Sequence, residues 1–190
     1  MESNPQATLE TWLAEESAQR ERNDRGVGPG VSAPALVATM DGAAQFKAML
    51  NGELPYPHIA RTMDFLLLEA RPGHAVFQGT PGLAYLNPMG VVHGGWFSTM
   101  LDSALGCCIH ASLPRGKAYT TLELKVNMVR ALTPKVPRVR AIGQVIHLGS
   151  QTATAEARLV GADGKLYVHG STTCLVFDLR PPAGKAAALV

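Results

Sequence analysis

The chain has 190 residues, of which 46% are hydrophobic, and this length suits one domain with an appendage better than two full domains. The formal net charge is only +2, and the Lys and Arg residues form no basic stripe, which argues against a nucleic-acid partner. The three cysteines and an N-terminus unlike a signal peptide favour the reducing cytoplasm. The longest apolar run, 96–113, is interrupted by Asp102 and His110, which argues for a soluble protein without a membrane span.

The N-terminal segment predicts an amphipathic helix on a tether. Thr8 is the expected N-cap, Leu9, Trp12 and Leu13 follow helical spacing, and the glycine-rich stretch 26–30 ends the helix. A helix that is docked on the body or frayed in solvent is a more ordinary interpretation than a partner-binding helix, and both remain open.

A second helix is predicted over 41–50, with Phe46 and Met49 on one face and Gly52 as its stop. We therefore expect three parts in the chain. Residues 1–53 form a helical N-terminal extension, residues 54–180 form the main domain, and residues 181–190 form a C-terminal tail.

From residue 63 onward the hydrophobic pattern changes to that of extended strands. Pro72-Gly73 and Ala162-Asp163-Gly164 are suited to tight turns between strands. Alternation is clearest between 121 and 128, where apolar Leu122, Leu124, Val126 and Met128 interleave with polar residues. The predicted strands are 63–68, 74–80, 119–132, 136–148, 152–161 and 165–177.

The segment after Gly95 predicts one long helix with apolar residues on every side. Such a helix must be covered all round. With about six strands available, the economical cover is a curved antiparallel sheet wrapped around the helix, with the remaining surface against a partner subunit. The sequence therefore predicts an α+β fold and an oligomer.

Asp102 lies in the middle of this apolar helix. A carboxylate in such a place is costly unless it has a hydrogen-bond partner or a role in the chemistry. An ordinary structural explanation is a bond to Ser98, Ser103 or a backbone amide. Structural networks also perturb carboxylates, so Asp102 alone does not decide between the two interpretations.

The start of the helix adds a second group. Gly94 and Gly95 leave the first amides of the helix bare, and such amides stabilise a developing oxyanion. An oxyanion donor and a carboxylate that activates water are the two parts needed for ester or thioester hydrolysis. Gly94 and Asp102 lie ~12 Å apart along one helix, so one chain cannot easily present both to the same carbonyl. Two antiparallel copies related by a twofold axis can, which predicts two composite sites per dimer.

Three segments form a recognisable set of motifs: NPMGVVHGG over 87–95, LDSA over 101–104 and YTTLELKVN over 119–127. Together they resemble the PaaI-like branch of the hotdog-fold acyl-CoA thioesterases. The resemblance runs from about residue 54 to residue 177. Its specific part is the HGG triplet with an aspartate nine residues after the histidine and an asparagine six before it.

The resemblance implies a hotdog fold, in which a curved antiparallel sheet wraps a long central helix. It also implies a homodimer or a homotetramer made of two dimers, and hydrolysis of an acyl-CoA to a free acid and CoA without a metal or organic cofactor. Gly94 matches the backbone donor that polarises the carbonyl, and Asp102 of the other subunit matches the general base or nucleophile. Asn87 matches a side chain that holds the reacting groups, and Thr121 a hydroxyl that orients water, with Thr120 as the alternative.

His93 and Gly95 match substrate-binding positions, with His93 mainly shaping the loop. The other histidines share no metal-ligand spacing, and Cys107 and Cys108 are expected to be inert buried thiols. Two sets of residues each have two open interpretations. The first set lines an acyl pocket or belongs to the core or a subunit interface, and the second set binds the CoA phosphates or lies at solvated strand ends. The first set is Trp96, Phe97, Met100 and Met128, and the second is Arg130, Lys135, Arg138 and Arg140.

The acyl group itself, aromatic or medium-chain, is left open by the sequence. A hydratase activity would require a different motif, which is absent from the sequence. The alternative from another functional class is a non-catalytic acyl-CoA-binding hotdog protein. Sensors of that kind carry a helix-turn-helix, and the first 60 residues are expected to contain too little helix and too much proline and glycine for one.

Overall fold

The structure is a computed structural model that describes residues 4–179, so the predicted tail 181–190 lies outside the described residues. The described chain forms five α-helices, a short 3-10 turn at Leu83–Tyr85 and six strands. The helices are α1 (Pro5–Arg25), α2 (Pro34–Val37), α3 (Gly42–Leu50), α4 (His58–Thr62) and α5 (Gly94–His110). The strands are β1 (Phe65–Arg71), β2 (His74–Gly79), β3 (Lys117–Met128), β4 (Val139–Leu148), β5 (Thr152–Gly161) and β6 (Leu166–Asp178).

The six strands form one antiparallel sheet in the order β1-β2-β4-β5-β6-β3, and this sheet wraps around α5. Inward-facing residues of the strands pack against Trp96, Met100 and Leu105, which are almost fully buried. Gly143 of β4 permits a close approach, because a Cβ there would collide with the backbone carbonyl of Ala104. The predicted α+β hotdog fold is confirmed.

The predicted strands lie within a few residues of the observed ones, and both predicted turns are present. Gly73 and Gly164 have φ of +81° and +74°, a conformation that glycine adopts without strain. β1 begins two residues later than predicted, at Phe65, and β3 ends at Met128 rather than continuing to residue 132.

The alternation predicted for β3 is wrong at Leu122. The pairing between β3 and β6 shifts register between Thr121 and Glu123, so a bulge changes the face on which later residues lie. Leu122 is 62% exposed, whereas Leu124 and Val126 pack against the core. The same bulge places Thr121 on the side that faces α5.

Helix α5 is covered by the sheet on most sides within the described chain. Most of its apolar residues are buried, but one strip along the helix is half-exposed in the single chain. We call this the open strip, and it consists of Thr99, Asp102, Ser103, Cys107 and His110.

Helix α1 is docked on the sheet rather than tethered in solvent. Its N-cap is Asn4, whose Oδ1 accepts from the Gln6 amide at 3.0 Å, so the expected cap at Thr8 is wrong. The buried residues of α1 are Trp12, Glu16 and Gln19, so the docked face is largely polar. The expectation of little helix in the first 60 residues is wrong as well, because α1 to α4 occupy most of this segment.

A polar cluster holds α1 against the outer face of β2 and β4. Glu16 accepts hydrogen bonds from Arg138, from Arg20 at 2.8 Å and from the fully buried Gln78 at 2.7 Å. Burial alone would raise the pKa of Glu16, but the bonds from Arg138, Arg20 and Gln78 lower it below its ordinary value. Arg140 bonds Gln78 at 2.8 Å and lies over the Trp12 ring.

Candidate functional site

The loop before α5 is closed by Asn87. Its Oδ1 accepts from the amides of Met89 at 2.9 Å and Val91 at 3.3 Å, and its backbone N–H bonds the Val91 carbonyl at 2.8 Å. The side-chain oxygen is therefore committed to the loop. Within residues 4–179 the Asn87 Nδ2 group has no recorded partner, so it is free to donate.

His93 caps the N-terminus of α5. Its Nδ1 accepts from the Gly95 amide at 2.9 Å, and its carbonyl accepts from Trp96 at 3.0 Å. A neutral ring with an accepting Nδ1 carries its proton on Nε2. The Gly95 amide is thus occupied by His93, and a Cβ at Gly95 would lie only 3.0 Å from that Nδ1.

Gly94 is the first residue of α5, and within the described chain its N–H has no recorded acceptor. The positive end of the helix dipole lies behind this amide. A Cβ at Gly94 would approach the terminal methyl of Met128 to 2.5 Å, so Met128 covers the helix start on one side. The arrangement presents one bare amide to any ligand that approaches the helix tip.

Asp102 lies half-buried on the open strip, and its Oδ1 accepts a hydrogen bond from the Thr121 hydroxyl at 3.2 Å. The alternative partners are engaged elsewhere, because Ser98 donates to the Gly94 carbonyl and Ser103 to the Thr99 carbonyl. Thr121, rather than the exposed Thr120, is therefore the hydroxyl beside Asp102.

Tyr119 is a further neighbour of Asp102 that the sequence did not single out. Its hydroxyl lies against Gly106, where a Cβ would collide with it, and its ring lies 5.7 Å from that of His110. Burial is the main cause that raises the pKa of Tyr119 well above its usual value, and the nearby Asp102 carboxylate adds to it. The signal in the sequence is a glycine in the middle of a helix, which marks a close approach.

The cysteines are poor nucleophiles in this setting. Burial, with smaller contributions from Cys108 and Asp102, raises the pKa of the Cys107 thiol far above neutrality. Burial likewise raises the pKa of Cys108 to about 12. Both thiols therefore stay protonated at neutral pH.

The structure thus brings the predicted site residues together in two groups. Asn87, His93, Gly94 and Gly95 surround the start of α5, whereas Asp102 and Thr121 meet at its middle. Eight residues separate Gly94 from Asp102, which is ~12 Å along the helix axis. Within one chain the bare amide and the carboxylate do not reach one carbonyl group.

The remaining candidates have structural contacts. Trp96, Phe97 and Met100 are buried in the core, while Met128 is 52% exposed beside Gly94. Arg138 and Arg140 are bound to residues of α1, which gives them a structural role. Among the helices described between residues 4 and 179, none is long and apolar enough to cross a membrane.

Comparison with known proteins gives matches to thioesterases and esterases. The Thioesterase superfamily model matches residues 89–168. A Pseudomonas aeruginosa protein provisionally named an esterase is 32% identical over 98 residues, which is 51% of this chain and 66%, or just under two thirds, of that protein.

Two solved structures share the fold over nearly their whole lengths. A phenylacetic acid degradation-related protein of Ralstonia eutropha, provisionally named a thioesterase, is 28% identical with a TM-score of 0.63, covering 68% of this chain and 98% of that one. A mutant of the phenylacetic acid degradation protein PaaI of Thermus thermophilus is 25% identical with a TM-score of 0.56, covering 62% of this chain and 97% of that one. The chain therefore has the hotdog fold and is similar to PaaI-like proteins of the thioesterase superfamily.

Proposed function

We propose that the chain is an acyl-CoA thioesterase that works as a homodimer, or as a homotetramer of two such dimers. The observation that carries this proposal is the pairing of two features on α5. Asp102 is held on the open strip by Thr121, and the Gly94 amide at the start of the same helix is bare. The relatives named as esterase and thioesterase support hydrolysis as the reaction.

The proposed mechanism uses one group from each subunit. The Gly94 N–H of one protomer donates to the thioester carbonyl oxygen and stabilises the negative charge that develops there. Asp102 of the partner subunit either takes a proton from the attacking water or attacks the carbonyl carbon itself. The carbon–sulfur bond then breaks, and CoA leaves as a thiol once it has gained a proton. If Asp102 acts as the base, water has added to the carbonyl carbon and the free acid is released directly. If Asp102 attacks, the acyl group is first held on its carboxylate as an anhydride, and water then hydrolyses this anhydride to the free acid and regenerates Asp102.

The neighbouring residues have supporting parts in this proposal. Thr121 orients the Asp102 carboxylate through its hydroxyl, which leaves the other carboxylate oxygen for water or substrate. Asn87 presents its Nδ2 group, because its oxygen is committed to the loop. His93 and Gly95 shape the helix tip. The Gly95 amide bonds the His93 ring, so of the two glycine amides only that of Gly94 is left for the substrate.

Two features support the dimer. β3 lies at the end of the sheet, where it pairs with β6 alone, and it exposes Leu122 by 62% and Met128 by 52%. A long edge strand with exposed apolar side chains can pair with another chain. The half-exposed open strip of α5 faces the same unpartnered side as Thr121 of β3. A twofold axis here would set the Gly94 tip of one helix beside Asp102 of its copy.

The test is release of free thiol from a panel of aromatic, short and long acyl-CoAs. We expect turnover of at least one class, and we expect Asp102→Asn to lower kcat by about 10²–10⁴, the usual contribution of a positioned acid or base. Asp178→Asn is the matched control, since it makes the same chemical change at an exposed residue paired with Lys117. Full turnover by a folded, dimeric Asp102→Asn protein would contradict the mechanism. Tight CoA binding without turnover of any thioester would support the non-catalytic binding protein instead.

A further inference from the structure

A cavity of about 500 Å³ lies away from the loop at Asn87. It is lined by helices α1, α3 and α4 on one side and by strands β1 and β2 on the other. Its inner end reaches α5 at Cys107. Much of its wall comes from the N-terminal extension, which lies outside the segment matched by the family model.

The inner wall of the cavity is apolar. Phe46 of α3, Leu67 of β1 and Phe77 of β2 are buried core residues that line it, and the partly buried Met49 of α3 also lines it. Its volume is within the range of 300–1,000 Å³ that is usual for small-molecule sites. A space of this size and lining is suited to a hydrocarbon group.

Two polar side chains that α1 contributes to the wall are already engaged. The Gln19 amide donates to Asn23 at 2.9 Å and to the Leu50 carbonyl at 3.0 Å. Arg20 binds Glu16 and Asp64, each at 2.8 Å. A ligand in the cavity therefore gains little from polar contacts with Gln19 and Arg20, which favours an apolar tail beside them.

The inner end of the cavity adjoins the open strip that carries Asp102. Cys107 follows Asp102 by five residues, so their Cα atoms are about 9 Å apart on the helix. The thiol is near enough to Asp102 for the carboxylate charge to affect it. A chain that starts at a carbonyl beside Asp102 crosses this distance along the strip before it reaches the cavity.

We propose that this cavity binds the far end of a long unbranched acyl chain whose thioester lies at Asp102 of the same protomer. The inference rests on the proposed function and adds the substrate class. Short acyl groups end before the cavity, whereas chains of decanoyl and dodecanoyl length extend past Cys107 into it. Each methylene buried there improves kcat/KM by about a factor of four.

The experiment compares kcat/KM for dodecanoyl-CoA and butyryl-CoA in wild type and in Met49→Trp, which fills part of the cavity with a larger side chain. We expect the dodecanoyl to butyryl ratio to fall at least about tenfold, because several methylenes lose their site. Lys47→Trp places the same side chain on the exposed side of α3 and leaves the ratio unchanged. Ala60→Leu fills a smaller part of the same cavity and is the variant to measure if Met49→Trp does not fold.

The outcomes separate this inference from the proposed function. Hydrolysis with an unchanged ratio in both filling variants overturns the acyl site and leaves the thioesterase standing. A change in dimer dissociation with an unchanged ratio shows that a partner segment fills the cavity, which also overturns it. If no thioester is hydrolysed, the proposed function fails. Calorimetry with dodecanoate then tests whether the cavity binds a hydrocarbon chain. Binding by Met49→Trp that is at least about tenfold weaker than by wild type supports a hydrocarbon site, and equal binding overturns it.

Discussion

Removal of the Glu16 carboxylate tests whether α1 is an integral part of the folded body. The Glu16 side chain is only 6% exposed and serves Arg138, Arg20 and Gln78 together. Breaking a buried ion pair by deleting one partner typically costs 3–5 kcal/mol, roughly. Here the cost is reduced, because Arg138 keeps a bond to the Pro137 carbonyl and the other two donors also keep a second acceptor. We therefore expect Glu16→Ala to lower the free energy of unfolding by about 2–3 kcal/mol.

Urea denaturation at fixed protein concentration, followed by tryptophan fluorescence, measures this change. Trp12 lies beneath Arg140 and is 9% exposed, so it reports on the docking of α1. Glu21→Ala is the matched control. Its ion pair with Arg25 has side chains that are 60% and 78% exposed, and such pairs contribute about 0.5 kcal/mol or less. Equal stability of Glu16→Ala and Glu21→Ala would refute the reasoning.

The hydroxyl beside Asp102 and the His110 ring of α5 give two further predictions. Thr121→Val keeps the shape of the side chain but removes its bond to Asp102, so kcat should fall about 10–100-fold, while Thr121→Ser and Thr120→Val stay close to wild type. Equal losses at the two threonines would contradict the assignment. Burial lowers the pKa of His110, so the folded protein resists its protonation and loses stability as the pH falls below the unfolded value of about 6.5. His110→Gln should therefore lose less stability than wild type between pH 7.5 and pH 5 in denaturation experiments, and identical losses would count against this explanation.

The sequence predicted most of the fold because its strongest patterns are local. The apolar segment after Gly95 and the turns at Gly73 and Gly164 depend on residues close in the chain, and these features lie where the patterns indicate. The bulge near Leu122 does not follow from local alternation, because it arises in the pairing of β3 with β6. The position of Thr121 beside Asp102 depends on that bulge, so alternation alone placed Thr121 on the wrong face.

The sequence left the docking of α1 open for a similar reason. Its face carries Glu16 and Gln19, which look solvent-exposed in the sequence, whereas their partners lie far away in the chain. Gln78 is 62 residues from Glu16, and Arg138 is 122 residues from it. In a sequence, a docked helix is recognised by its apolar stripe. Here a polar network holds α1 against the sheet instead.

The claim that two chains share each active site is tested through the amide of Gly94. Gly94→Pro removes the N–H at the first helical position, where proline is well tolerated, and the preceding His93 has φ −63° and ψ 139°, a conformation allowed before proline. Gly94→Ala keeps the amide and makes a similar contact with Met128, so it is the matched control. Loss of an oxyanion donor costs about 10²–10³ in kcat.

The most direct measurement is the activity of Gly94→Pro and Asp102→Asn chains that have been unfolded together, refolded and shown by native mass spectrometry to form heterodimers. If Gly94 of one chain works with Asp102 of the other, each heterodimer has one intact site. Random assortment of equal amounts then restores about a quarter of wild-type activity from two nearly inactive parents. Activity that stays at the level of the parents despite proven heterodimers would contradict the shared site.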